Sequence, residues 1–139
     1  MFELSKRSIN RLHNVHPDLV MVVRRAIEIT QADFTVLEGL RSPDRQAALF
    51  RLGSTKTMNS RHLTGHAVDL AALVNNEVSW QPHDYMPIAI AMKTAASELK
   101  APVQWGGDWK TFKDYAHWQL PWREYPAHEI EPVIKSAHR

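Results

Sequence analysis

After Pro17 the apolar residues fall at helical spacing. Leu19, Val20, Val22, Val23, Ala26 and Ile27 form one stripe, and a proline is tolerated in the first turn. The same period returns in Ile88, Ile90, Ala91, Met92, Ala95, Ala96 and Leu99, which predicts a buried helix from Asp84 to Lys100 with Pro87 in its first turn. A shorter helix is expected from Ser5 to about His13, with Ser5 as N-cap. Another is opened by Ser42-Pro43 and runs through Arg45, Gln46, Ala47, Leu49 and Phe50 to a stop near Gly53. Pro132 opens a last short helix reaching about Ala137.

Between these segments the pattern changes to β-branched, aromatic and alternating residues. Asp33 to Leu40 reads as a strand, and so does His66 to Ala72, which Asn75-Asn76 turns back into Glu77 to Trp80 as a hairpin. Val103 to Trp105 is a short strand before a Gly106-Gly107 turn, and Tyr115 to Leu120 is the last. Residues 54–60 are polar and loop-like. Helices and short, mostly antiparallel strands in this order predict an α+β fold, a small antiparallel sheet packed with helices.

The chain has 139 residues, of which 44% are hydrophobic, enough for one substantial core and too few for two ordinary domains. No repeat, low-complexity tract or Gly/Ser linker divides it, so residues 1–139 are expected to form a single domain. Seventeen basic against 15 acidic residues leave a formal charge of +2, a mild bias towards anionic partners that selects none of them. Basic residues are not clustered on one face, so nucleic-acid binding is not expected. The N-terminus has scattered charges and no apolar core, and no later run approaches membrane-spanning length. A soluble protein is expected, with no secretory signal and no stable membrane association.

The absence of cysteine excludes disulfides, thiolate metal sites and a cysteine nucleophile, so any metal must be held by imidazole and carboxylate. The stretch SRHLTGHAVDL, Ser60 to Leu70, supplies both. His62 and His66 stand four apart, as in the helical HExxH zinc motif. Arg61, His62 and Leu63 put no glutamate after the first histidine, however, and Gly65 between the two costs a helix about 1 kcal/mol against alanine. The alternative is a turn at Thr64-Gly65 into a strand, where side chains alternate. Ala67 and Asp69 then share one face with the site, His62 reaches it from the loop, and His66 points the other way with Val68 and Leu70.

A catalytic zinc site usually takes three protein ligands, and the third is sought among His13, His16, His83, His117, His128 and His138. His117 is preferred because it lies in the last strand, flanked by Trp118 and Leu120, and because Asp114 precedes it by three. A carboxylate so placed can act as general base and then protonate the leaving amine. Arg41, at the end of the first strand, can aim a guanidinium at a developing oxyanion, with Arg45 as a second candidate; a plain ion pair of Arg41 with Asp44 is the simpler reading. Trp105, Trp109, Trp118 and Trp122 are read as core and rim packing.

The pattern Ser60-x-His62-x-x-Gly65-x-Ala67-x-Asp69 followed by Asp114-x-x-His117 resembles the zinc signature of the D-Ala-D-Ala carboxypeptidase (VanY-like) metallopeptidases. That group shares its zinc-site fold with lysostaphin-type peptidases and the hedgehog signalling domain. The length and the sequence FTVLEGLRS are most similar to the L-alanyl-D-glutamate endopeptidases that serve as phage endolysins. The resemblance runs from about Pro17 to Leu120.

It implies one Zn2+ held by His62, Asp69 and His117, with Asp114 as catalytic base and Arg41 polarising the scissile carbonyl. Ser60 would support the site by hydrogen bonding and belong to the substrate-binding set. Position 119 departs from the family, with Gln119 where relatives often carry an acid. The implied activity is hydrolysis of the L-alanyl-D-glutamate bond in the peptidoglycan stem by a monomer without a wall-binding domain. It would be made in the host cytoplasm and reach the wall in the periplasm after membrane permeabilisation. A D-Ala-D-Ala carboxypeptidase or dipeptidase is the nearest alternative, and a non-catalytic zinc-stabilised binding module is the alternative of another class.

Overall fold

The computed structural model describes residues 1–55 and 57–126. The helix expected after Pro132, and with it His128 and His138, lies outside the described residues. Helix α1 (Lys6–Arg11) begins at Ser5, whose hydroxyl accepts the Ser8 N–H, and α2 (Pro17–Ile29) begins at His16, whose ring accepts the Asp18 N–H. Strand β1 (Phe34–Glu38) is followed by α3 (Pro43–Arg51), capped by Ser42. After a single 3-10 turn over Arg61–Thr64 come β2 (Ala67–Val74), β3 (Glu77–Ser79) and α4 (Met86–Leu99), then β4 (Gln104–Trp105) and β5 (His117–Gln119). The α+β expectation holds.

The strands form an antiparallel sheet in the order β1-β2-β5-β4, with β3 paired to the far end of β2. Asn75 and Asn76 both have positive φ, as the tight hairpin turn between β2 and β3 requires. Alternation along β2 sorts its residues. Val68, Leu70 and Ala72 enter the core beside Leu19, Val22, Ile88 and Met92 of the two long helices, while Asp69 looks out from the other face. Each wholly buried Val, Leu or Ile in that core contributes about 1.5 to 3 kcal/mol. The helices thus cover one face of the sheet and leave the other for chemistry. Ile90 and Leu99, counted in the apolar stripe of α4, stay substantially exposed: at 3.6 residues per turn Ile90 points away from the face of Ile88 and Met92, and Leu99 is the last residue of the helix.

The edge at β1 is closed by α1. Ser8 Oγ accepts the Val36 N–H at 2.9 Å, and Arg11 Nη1 donates to the Val36 carbonyl at 2.9 Å. Beyond Val36 the register with β2 shifts, so that Val36 faces Leu70 and Glu38 faces Asp69. This bulge ends β1 earlier than the sequence pattern suggests and brings Glu38 to the open face of the sheet.

Candidate metal centre and cleft

His62 lies on the short turn Arg61–Thr64, which Ser60 caps by accepting the His62 N–H at 3.1 Å. The turn ends at Gly65, whose φ of 76° suits glycine and where a Cβ would stand 2.4 Å from the Asn14 carbonyl oxygen. The chain then enters β2, and the two histidines part. His62 and Asp69 face the open side, whereas His66 is wholly buried on the helical side, its ring 5.4 Å from that of His16. His117 arrives from β5, directly opposite Asp69 in the sheet register.

Three donor atoms converge there, one each from His62, Asp69 and His117, all within 4.8 Å of one another. His62 Nδ1 donates to the Gly39 carbonyl at 2.8 Å, so its Nε2 carries the lone pair that faces Asp69 Oδ1 at 3.1 Å. His117 uses the opposite nitrogens: Nε2 donates to Gln119 Oε1 at 2.8 Å, and Nδ1 faces the same Asp69 oxygen at 3.3 Å. Where no cation is bound, a ring proton bridges an imidazole to Asp69; with both rings neutral, three lone pairs point at one spot. That is the arrangement a cation completes, and its nitrogen and oxygen donors suit zinc.

The electrostatics agree. Burial by itself would raise the Asp69 carboxyl, but hydrogen bonds from His117 and His62 outweigh it and hold the group well below the usual carboxylate range. Burial by itself would lower His117, yet the Asp69 hydrogen bond and charge leave it raised. This centre therefore favours positive charge.

Asp114 precedes His117 in a tight turn in which its carbonyl accepts the His117 N–H at 3.2 Å and its carboxylate accepts the Ala116 N–H at 3.2 Å. The Asp114 N–H donates to Gly106, and a Cβ at Gly106 would lie 2.3 Å from the Asp114 carbonyl oxygen, so the close approach needs glycine. Burial, followed by the charge of Asp69, raises the Asp114 carboxyl above its ordinary value, the direction useful for a general base.

Arg41 is buried and does not pair with Asp44. Its Nε and Nη2 go to Glu38, its Nη1 donates to Gln46 Oε1 at 2.8 Å, and its Nη2 stands 3.7 Å from Asp69 Oδ2. The Arg41 N–H also donates to the His62 carbonyl at 2.9 Å, which ties the two segments of the site together. Arg45 is mostly exposed, 3.9 Å from Glu38. Ser60 lines the cleft, and its oxygen serves the His62 turn. His13, His16 and His83 are not part of the trio.

An open cleft of about 720 Å³ lies over the trio, bounded by Arg41, Asp114, the polar segment around Thr57, and an aromatic rim of Trp109, Phe112 and Trp122. Of the tryptophans read as packing, Trp105 and Trp118 are indeed stacked in the core with centroids 5.5 Å apart, while Trp109 and Trp122 line the cleft. Sequence reasoning passed over Glu38 and Gln46. The spacing Glu38-x-x-Arg41 was visible, but it signals pairing only on a helix, and here a strand bulge makes the contact.

The sequence model of a family described as phage L-alanyl-D-glutamate peptidase matches residues 1–124. The L-alanyl-D-glutamate peptidase of Escherichia phage T5 is 30% identical over 136 residues, 95% of this chain and 98% of that protein. The crystal structure of the Serratia marcescens L-Ala D-Glu endopeptidase ChiX superposes with a TM-score of 0.84 at 49% identity, covering 89% of this chain and 94% of that one. The vancomycin-resistance D,D-dipeptidase VanXYg, at 17% identity and a TM-score of 0.50 over 88% of this chain and 60% of its own, shares the fold.

Proposed function

The chain belongs to the phage L-alanyl-D-glutamate peptidase family, and from that premise we propose that it is a one-zinc endopeptidase cutting the L-alanyl-D-glutamate bond of the peptidoglycan stem. The observation that carries this reading is the convergence of His62, Asp69 and His117 on the floor of an open cleft, beside a carboxylate with a raised pKa. A structural zinc site is closed by its protein ligands, whereas this trio leaves a side open to solvent and substrate. That favours catalysis over a zinc-stabilised binding module.

His62, Asp69 and His117 would hold the zinc ion, which would supply Lewis acidity and make a water more acidic there. Asp114 takes the proton of the attacking water and returns it to the departing amine of D-glutamate. Arg41 donates to the oxyanion that develops on the L-alanyl carbonyl, its fork kept in place by Glu38 and Gln46. The Gly39 carbonyl and Gln119 accept the far N–H groups of His62 and His117, which turns the other ring nitrogen of each towards Asp69 and the metal position. Ser60 contributes by holding the turn of His62, and its place in the cleft wall makes it a substrate contact.

On this reading residues 1–139 are one catalytic domain, acting as a monomer on the wall of a host bacterium. The protein would be made in the host cytoplasm and reach the periplasm through a permeabilised membrane. Among the described residues no helix is long and apolar enough to cross a membrane.

The test is metal-dependent cleavage of a soluble muropeptide containing the L-alanyl-D-glutamate bond. Chelator-treated protein should be inactive and regain activity with one equivalent of zinc. Full activity after complete metal removal would contradict the proposal.

A further inference from the structure

Gln46 on α3 is wholly buried and touches two functional parts at once. Its amide oxygen accepts from Nη1 of Arg41 at 2.8 Å, and its amide nitrogen donates to the Thr57 carbonyl at 2.6 Å. The orientation is forced, because a guanidinium only donates and a carbonyl only accepts. Thr57 belongs to the polar wall that lines the cleft with Ser54, Thr55 and Asn59. On its far side the guanidinium is held by Glu38, so the fork is fixed at both ends.

We propose that Gln46 is a positioning residue that sets the Arg41 guanidinium beside the scissile carbonyl and couples that setting to the cleft wall around Thr57. A peptide seated against this wall then meets a guanidinium already aimed. The proposal rests on the role given to Arg41 in the function above. It explains why an amide stands here: glutamate would still accept from Arg41 but would turn lone pairs on the Thr57 carbonyl, and methionine would fill the space and serve neither partner.

Q46E and Q46M separate the two bonds. Zinc-loaded proteins are compared on the muropeptide, alongside exchange of the Arg41 Nε–H followed by NMR and hydrogen exchange along residues 54–59. Q46E should keep kcat within about twofold and raise KM by about fivefold, the effect of one lost hydrogen bond. Its Arg41 Nε–H should stay protected while the wall exchanges faster. Q46M should lower kcat by on the order of 10- to 100-fold, as expected when a reacting geometry is lost, with faster exchange at both places.

Wild-type kinetics and exchange in both variants, with only a lower melting temperature, would show that Gln46 merely fills space. If Q46M does not fold, an unchanged KM and wall exchange in Q46E overturn the proposal by themselves. Should wild type leave the muropeptide uncut, the function proposed above fails, and the exchange measurements still decide whether Gln46 links Arg41 to the wall.

Discussion

Gln119 accepts the Nε2 proton of His117 at 2.8 Å, and this bond turns Nδ1 of the same ring towards Asp69. Gln119 is itself oriented by Gln104, whose side-chain oxygen accepts its amide N–H at 3.2 Å. A neutral amide therefore does the orienting here. Gln119→Ala should weaken zinc binding by about 10- to 100-fold, and Gln119→Glu, which keeps an acceptor, should bind at least as tightly as wild type. Competition with a chromophoric chelator measures this, and equal affinity in all three proteins would remove Gln119 from the account.

Asp114 sits beside the metal trio without belonging to it. Asp114→Ala should therefore retain one zinc per chain while losing on the order of 10²- to 10⁴-fold in cleavage rate, the usual range for a removed general base. Zinc content by elemental analysis and turnover on the muropeptide are the paired readouts. Loss of zinc in this variant would mean that Asp114 serves the metal instead of the proton.

His66 gives a stability effect independent of catalysis. Thr64 donates its hydroxyl proton to the Arg61 carbonyl, so His66 Nδ1 donates to the Thr64 oxygen, and Nε2 has no hydrogen-bond partner among the described residues. Burial first, then the charges of Arg61 and His16, push its pKa down from 6.5 to about 4. The folded pKa lies below the unfolded one, so between these values the unfolded chain binds more protons and stability rises with pH. The contribution is complete above about pH 6.5 and is lost as pH falls towards 4, amounting to about 3 kcal/mol in full. His66→Gln should flatten the pH dependence of urea unfolding across that window. An unchanged slope would contradict a neutral, buried His66.

The long helices were legible because their apolar stripes repeat over several turns, and the metal trio was legible because Gly65 and strand parity separate His66 from Asp69. Asp114 could be placed beside His117 because only two residues lie between them. Glu38, Gln46 and the Gly39 carbonyl were not legible. Their contacts depend on a register shift after Val36 and on where a polar loop comes to rest, and neither leaves a periodic trace in the chain. Ile90 and Leu99 were overcounted for a different reason: at 3.6 residues per turn Ile90 falls opposite Ile88 and Met92, and Leu99 ends the helix.

The measurement that tests the central claim most directly is identification of new chain ends in purified peptidoglycan after digestion by the zinc-loaded protein, with Asp114→Ala as control. Mass spectrometry should find new C-terminal L-alanine on the glycan side and new N-terminal D-glutamate on the released peptides, both absent in the control. Release of D-alanine would redirect the assignment to a D-Ala-D-Ala peptidase, and the absence of new ends would contradict the enzymatic reading of the site.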